Sequence, residues 1–132
     1  MMTLEEARKW FQGDRFATEV TGIQIDELGE NYAKCSFTAE PKHCAAHGGA
    51  MGGAIYTLAD FAFAVAANAG GQLTVTTSST VSYPGMAKDP HLTAVCTCIK
   101  NGRSTCLYET RITDGLGNLV AHVTSNGMHL NR

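Results

Sequence analysis

At 132 residues, 44% apolar and 17% charged, the chain is sized for one domain spanning 1–132, and a domain of that length hides roughly two-thirds of the surface of its unfolded chain. Ten Lys and Arg against twelve Asp and Glu leave a net charge of −2 with no basic block, which excludes a nucleic-acid stripe or a membrane-surface helix, since both need clustered positive charge. The acidic start Met1-Met2-Thr3-Leu4-Glu5-Glu6 lacks the basic run of an export signal, and five cysteines (Cys35, Cys44, Cys96, Cys98, Cys106) form no framework spacing, so reduced thiols and a cytoplasmic location are expected.

Thr3 followed by Glu6 fits a capping box and predicts a short helix over about 4–11. Alternating apolar residues predict a strand over 21–28 and a second over 32–39, joined through Gly29-Glu30-Asn31 as a hairpin. The glycine-rich loop His47-Gly48-Gly49-Ala50-Met51-Gly52-Gly53 then opens a helix running to about Asn68, with Gly70-Gly71 closing it. The stretch 50–67 is nearly long enough to cross a bilayer, but Asp60 at its middle would cost at least a few kcal/mol there. A helix enclosed by other protein structure fits better, and its many alanines allow a second backbone to approach. Strands are predicted over 74–83, 92–100, 105–113 and 119–130, with Asn101-Gly102 marking a hairpin turn. The sum is an α+β domain: five to six antiparallel strands wrapped on one long helix, with a short N-terminal helix.

Asp60 is the one charged side chain between Lys42 and Lys88, histidines aside, and sits mid-helix in a segment that reads as enclosed. Three readings of it stay open: a structural acceptor, a protonated and inert acid, or a general base or nucleophile whose basicity burial has raised. Gly52 and Gly53 leave bare backbone N–H groups at the positive end of a helix, where a developing oxyanion is stabilised; glycines that merely let the chain turn are the plainer alternative. Eight positions separate Gly52 from Asp60, about 12 Å along a helix. One chain therefore cannot bring both to one reacting group, and joint action requires two copies with antiparallel helices.

The run Gly52-Gly53-Ala54-Ile55-Tyr56-Thr57-Leu58-Ala59-Asp60-Phe61-Ala62-Phe63-Ala64 resembles the signature of the hotdog-fold acyl-CoA thioesterases, in the phenylacetate-degradation (PaaI-like) branch. Gly22, Tyr83, Ala87, Asn101-Gly102-Arg103 and the segment from Gly117 to Ala121 extend the likeness over nearly the whole chain. The resemblance implies a hotdog fold, a homo-oligomer (a dimer or a dimer of dimers) and hydrolysis of an acyl-CoA thioester with no cofactor. It implies Asp60 as general base or nucleophile, Gly52 with Gly53 beside it as the backbone donors that polarise the carbonyl, and Thr76 as the residue that orients water. Phe61, Phe63 and Tyr83 are then expected to line an acyl tunnel, and Arg103 and Ser104 to touch the coenzyme A nucleotide. The branch usually carries His directly before Gly-Gly and Asn six residues earlier; here those positions are Met51 and Ala45. Neither can donate the missing hydrogen bond, and His47 in the same loop is the candidate replacement.

Other classes fit less well. His43-Cys44-Ala45-Ala46-His47 gathers three metal-ligand types, but the spacing matches no zinc motif, and Cys96-Thr97-Cys98 is not Cys-x-x-Cys, so no metal is expected. A dehydratase would need a His paired with an acid of the other subunit, and no such motif surrounds His122 or His129. A non-catalytic acyl-CoA-binding dimer is the rival that shares fold and ligand.

Overall fold

The computed structural model describes residues 1–130. Helix α1 (Leu4–Trp10) is closed at its start by the expected capping box: the Thr3 hydroxyl accepts from Glu6 N–H at 3.2 Å while the Glu6 carboxylate accepts from Thr3 N–H at 2.9 Å. A 3₁₀ turn (Phe11–Gly13) and a π-helical turn (Phe16–Thr21) follow. The segment 21–23, expected to begin a strand, instead ends that π turn. Gly22 adopts φ +82°, a left-handed conformation that stops the helix, and Ile23 N–H closes back on Ala17 O at 3.0 Å.

The described residues form six strands: β1 (Gln24–Gly29), β2 (Tyr32–Thr38), β3 (Thr74–Ser82), β4 (His91–Asn101), β5 (Thr105–Asp114) and β6 (Leu119–His129). They form one sheet in the order β1-β2-β4-β5-β6-β3, every pair antiparallel. The long helix α2 (Gly52–Asn68) lies against the concave face, the arrangement expected from the resemblance. Alternation aims Leu92, Ala94 and Cys96 of β4, and Tyr108, Thr110 and Ile112 of β5, at the helix, where all are buried. Phe63 of α2 meets Tyr108 edge-to-face at 5.2 Å. The helix settles that low because Gly127 of β6 has no side chain: a Cβ there would stand 2.9 Å from Phe63 Cζ, Cys106 Sγ and Thr74 Cγ2. All five cysteines are free thiols, and burial pushes the Cys96 thiol up to about 12, far from reactivity. Among the described residues no helix is long and apolar enough to cross a membrane.

The β5–β6 turn is built on Asp114. Its carboxylate accepts from the N–H groups of Lys88 (2.8 Å), Leu116 (3.0 Å) and Asn118 (2.9 Å). These bonds, that of Lys88 foremost, hold the group at about 2, below its ordinary 3.8. A carboxylate lowered on folding stabilises above its unfolded value and loses that contribution as pH falls through the folded one. Asp114→Ala is therefore expected to lower Tm by about 5 °C or more at pH 7. It should also flatten the loss of stability between pH 4 and 2, both read by thermal melts across that range.

Candidate active site

The loop ahead of α2 is held from below by His43. Its Nδ1 accepts from Glu40 N–H at 2.9 Å, its Nε2–H donates to Thr21 O at 2.9 Å, and its buried ring packs on Phe37 at 4.8 Å. Both ring nitrogens are spent on backbone, so His43 is no metal ligand, and among the described residues no group of three or more His, Cys, Asp or Glu is placed to hold a metal ion. Backbone bonds from Ala45 N–H to Gly49 O (2.7 Å) and Met51 N–H to His43 O (2.8 Å) fold the loop on itself and deliver Met51 to the N-cap of α2.

Met51 supplies no side-chain cap. Its carbonyl takes the N–H groups of Ala54 and Ile55, which leaves those of Gly52 and Gly53 with no acceptor among the described residues. Two unpartnered donors thus point outward from the positive end of a helix. Tyr83 steadies the spot from the side, its hydroxyl donating to Gly52 O at 2.9 Å. Two cavities of about 280 Å³ each flank the helix start. One is lined by His47, Gly52, Tyr83 and Met86, with His47 Nδ1 accepting from Gly49 N–H at 3.2 Å. The other is largely apolar, lined by Phe16, Val20, Met51, Gly53 and Thr57.

Along the outer side of α2 runs one open stripe of Gly53, Thr57, Asp60 and Ala64, at positions that share a helix face. The enclosure expected for Asp60 is not found within one chain: the residue is exposed, and among the described residues nothing hydrogen-bonds it. The reason is geometric, because the sheet wraps only the side of α2 carrying Leu58, Ala62 and Val65. Partial desolvation nonetheless raises the Asp60 pKa, with a further push from the Asp14 carboxylate. Asp14 is itself raised by desolvation. Sequence reasoning missed Asp14; it reaches α2 only because Phe11 packs on Phe61 at 6.1 Å, a tertiary contact with no local signature. Phe16 and Val20 were missed because the segment between the first helix and the strand expected from 21 shows no periodic pattern, so nothing local marks the π turn that aims them at the loop.

The remaining candidates are scattered. Phe61 is 2% exposed and belongs to the core against Phe11, and Phe63 lies buried on Tyr108; neither lines the helix start. Thr76 stands exposed on β3, an edge strand, with no side-chain hydrogen bond among the described residues. Arg103 and Ser104 sit in the β4–β5 turn, tied to the C-terminal end of α2, some 24 Å of helix from Gly52. His122 does meet an acid, Glu109, at 2.8 Å, but both lie on the sheet face turned away from α2.

This architecture and sequence have relatives. Residues 47–121 match the model of the thioesterase superfamily. The chain is 31% identical over 110 residues to the acyl-coenzyme A thioesterase PaaI of Escherichia coli, covering 82% of this chain and 77% of that one. A variant of the phenylacetic acid degradation protein PaaI of Thermus thermophilus superposes with a TM-score of 0.80 at 29% identity, over 86% of this chain and 97% of the other. A Streptococcus pneumoniae hypothetical thioesterase solved with coenzyme A superposes at 0.85 and 22% identity, over 92% of this chain and 98% of that one, a likeness of fold. A helix opened by bare glycine donors, clasped by a six-stranded antiparallel sheet and matched by the family model across both the glycine loop and Asp60, leads to one assignment: this chain belongs to the thioesterase superfamily and has its hotdog fold.

Proposed function

We propose that this protein hydrolyses an acyl-CoA thioester to the free acid and coenzyme A, at sites each shared by two copies of the chain. The observation that carries this reading is the pair of unpartnered N–H groups at Gly52 and Gly53 on the same helix whose open stripe bears Asp60. With two α2 helices antiparallel along that stripe, the helix start of one copy faces Asp60 of the other. The thioester carbonyl oxygen accepts from Gly52 N–H, with Gly53 beside it. The Asp60 carboxylate takes a proton from water as the water oxygen attacks the carbonyl carbon. The tetrahedral intermediate collapses by breaking the C–S bond, and the proton held on Asp60 passes to the departing thiolate. Direct attack by Asp60 would run through an anhydride that water then opens, with the same products. Water and substrate supply every atom, so the reaction needs no cofactor.

Met51 and Ala45 offer no donor, and the backbone N–H groups alone polarise the carbonyl. Thr76 is available on the open edge to hold the attacking water, and Arg103 and Ser104 to meet the nucleotide. The acyl group fits the apolar cavity of Phe16, Val20 and Met51, which takes over the lining expected of Phe61. The E. coli relative's activity and the coenzyme A of the S. pneumoniae neighbour support the substrate class. The losses at Met51 and Ala45 favour a second reading, a dimer that binds acyl-CoA without cleaving it. Release of free thiol from a panel of aromatic and aliphatic acyl-CoA esters separates the two. Turnover of at least one ester supports hydrolysis, whereas binding without turnover of any makes the protein a binder.

A further inference from the structure

At the C-terminal end of α2 a chain of short hydrogen bonds runs through four elements. Asn68 on the last turn donates through Nδ2 to Ala64 O (2.8 Å) and Thr74 O (3.2 Å), and accepts from Thr74 N–H at 2.7 Å. The Thr74 hydroxyl, at the start of β3, meets Nδ1 of His129 at 2.7 Å. The Nε2–H of His129, at the end of β6, donates to Asn101 Oδ1 at 2.7 Å. Because the amide oxygen cannot donate, Nε2 must carry a proton, while Nδ1 pairs with the Thr74 hydroxyl, which can donate or accept. The backbone of the same residue also donates, from His129 N–H to Ser104 O at 2.9 Å. His129 therefore grips the β4–β5 turn at both ends, Asn101 with its side chain and Ser104 with its main chain. It is 5% exposed, a polar side chain held at the rim of the core with both nitrogens satisfied.

Arg103, between those two anchors, is exposed and makes no ion pair or hydrogen bond with any described residue. It lines a shallow depression with Gln72, Gly102 and Leu130, and among the described residues no carboxylate lines it. A guanidinium with no partner among the described residues, on a turn that is fixed from both sides, suits a phosphate, since Arg pairs with phosphate in fixed, forked geometry. The distance agrees as well. Where the thioester lies at Asp60, Asn68 stands eight residues further along the same helix, about 12 Å. A pantetheine arm, four to five peptide-like units long, spans roughly 15 Å when extended. Its phosphate end would then emerge at the Asn101–Ser104 turn.

We propose that His129 is a positioning residue for nucleotide recognition: by clamping Asn101 and Ser104 to the end of α2, it holds Arg103 where it meets the phosphates of coenzyme A. This rests on the acyl-CoA reading above but not on hydrolysis, so binding is the measurement. Calorimetry with free coenzyme A and with pantetheine, which lacks the phosphates, is run on wild type, Arg103→Ala, Asn101→Ala and the double variant. Asn101 is exposed, so its truncation breaks the clamp without opening the core. Each single variant is expected to weaken coenzyme A about tenfold and leave pantetheine unchanged. The double variant should be little worse than either single one, because both changes remove the same contact. His129→Ala should behave like Asn101→Ala wherever it still melts cooperatively. The proposal is overturned if Asn101→Ala leaves coenzyme A affinity intact, if it weakens both ligands alike, or if the two single losses simply add. Tight, Arg103-dependent binding in a protein that cleaves no thioester would sink the hydrolytic reading and keep this one.

Discussion

Asp60→Asn is expected to lower kcat for the best thioester by about 100-fold or more, the usual scale of a lost general base, while KM moves little. The change is nearly isosteric, and within one chain Asp60 touches no described hydrogen-bond partner, so folding should be affected by no more than about 0.5 kcal/mol. A large kinetic loss with an unchanged melt would thus isolate chemistry from stability. The pH profile gives the same residue a second test. A base works only when ionised, so kcat/KM should rise with pH through the Asp60 pKa, which desolvation and the Asp14 carboxylate raise above its ordinary value. Asp14→Asn removes the repelling charge, and the rising limb should move to lower pH. An acid limb that stays in place would mean that the rate does not report Asp60.

The second large effect concerns which copy supplies which group. Gly52→Pro deletes one of the two free N–H donors, and the site can take it. Proline suits the first position of a helix, and Met51 before it already has the extended φ −67°, ψ 141° that a residue preceding proline prefers. The ring crowds Tyr83, whose atoms a Cβ at Gly52 would approach to 3.3 Å, but that side chain is 48% exposed and has room to shift. A loss of about 10²–10³ in kcat is expected, the scale of one oxyanion donor. Mixing this variant with Asp60→Asn then decides the assembly. If each site takes its glycine from one copy and its carboxylate from the other, every mixed dimer, about half of all dimers after random exchange, regains one of its two sites, and activity should return to about a quarter of wild type. No recovery after subunit exchange would place both groups in one chain, against the 12 Å of helix between them, or remove one of them from the reaction.

Much of this fold is legible in the sequence because its signals are local. The alternation of β2, the Asn101-Gly102 turn and the glycine loop ahead of α2 each specify an element within a few residues. The position of β3 is different: it follows α2 in the chain but pairs with β6 at the far edge, and no local pattern encodes that partner. The π turn of Phe16–Thr21 escaped because 12–20 carries no periodic pattern, and the strand expected from Thr21 starts three residues later, after the left-handed Gly22 has ended the turn. At the site, the glycine donors and Asp60 were readable as residue types, and the helical rise alone showed that they could not meet within one copy. Burial was harder. An Ala-rich helix reads as enclosed all round, yet the sheet covers one side, and Asp60 falls on the other. Phe61 errs in the opposite direction, an aromatic next to a carboxylate in sequence but turned by 100° of helix into the core.

The bare start of α2 also bears on what happens after cleavage. The acid that the proposed hydrolysis would release there is an anion, and two unpartnered N–H groups at the positive end of a helix favour a carboxylate over the neutral ester that preceded it. Left to that attraction, the product would linger and compete with the next substrate. In the proposed shared site the opposing charge would be Asp60 itself, ionised again once its proton had gone to the thiol. The carboxylate proposed to activate water would then also repel the product, so turnover would depend on Asp60 a second time, in clearing the site.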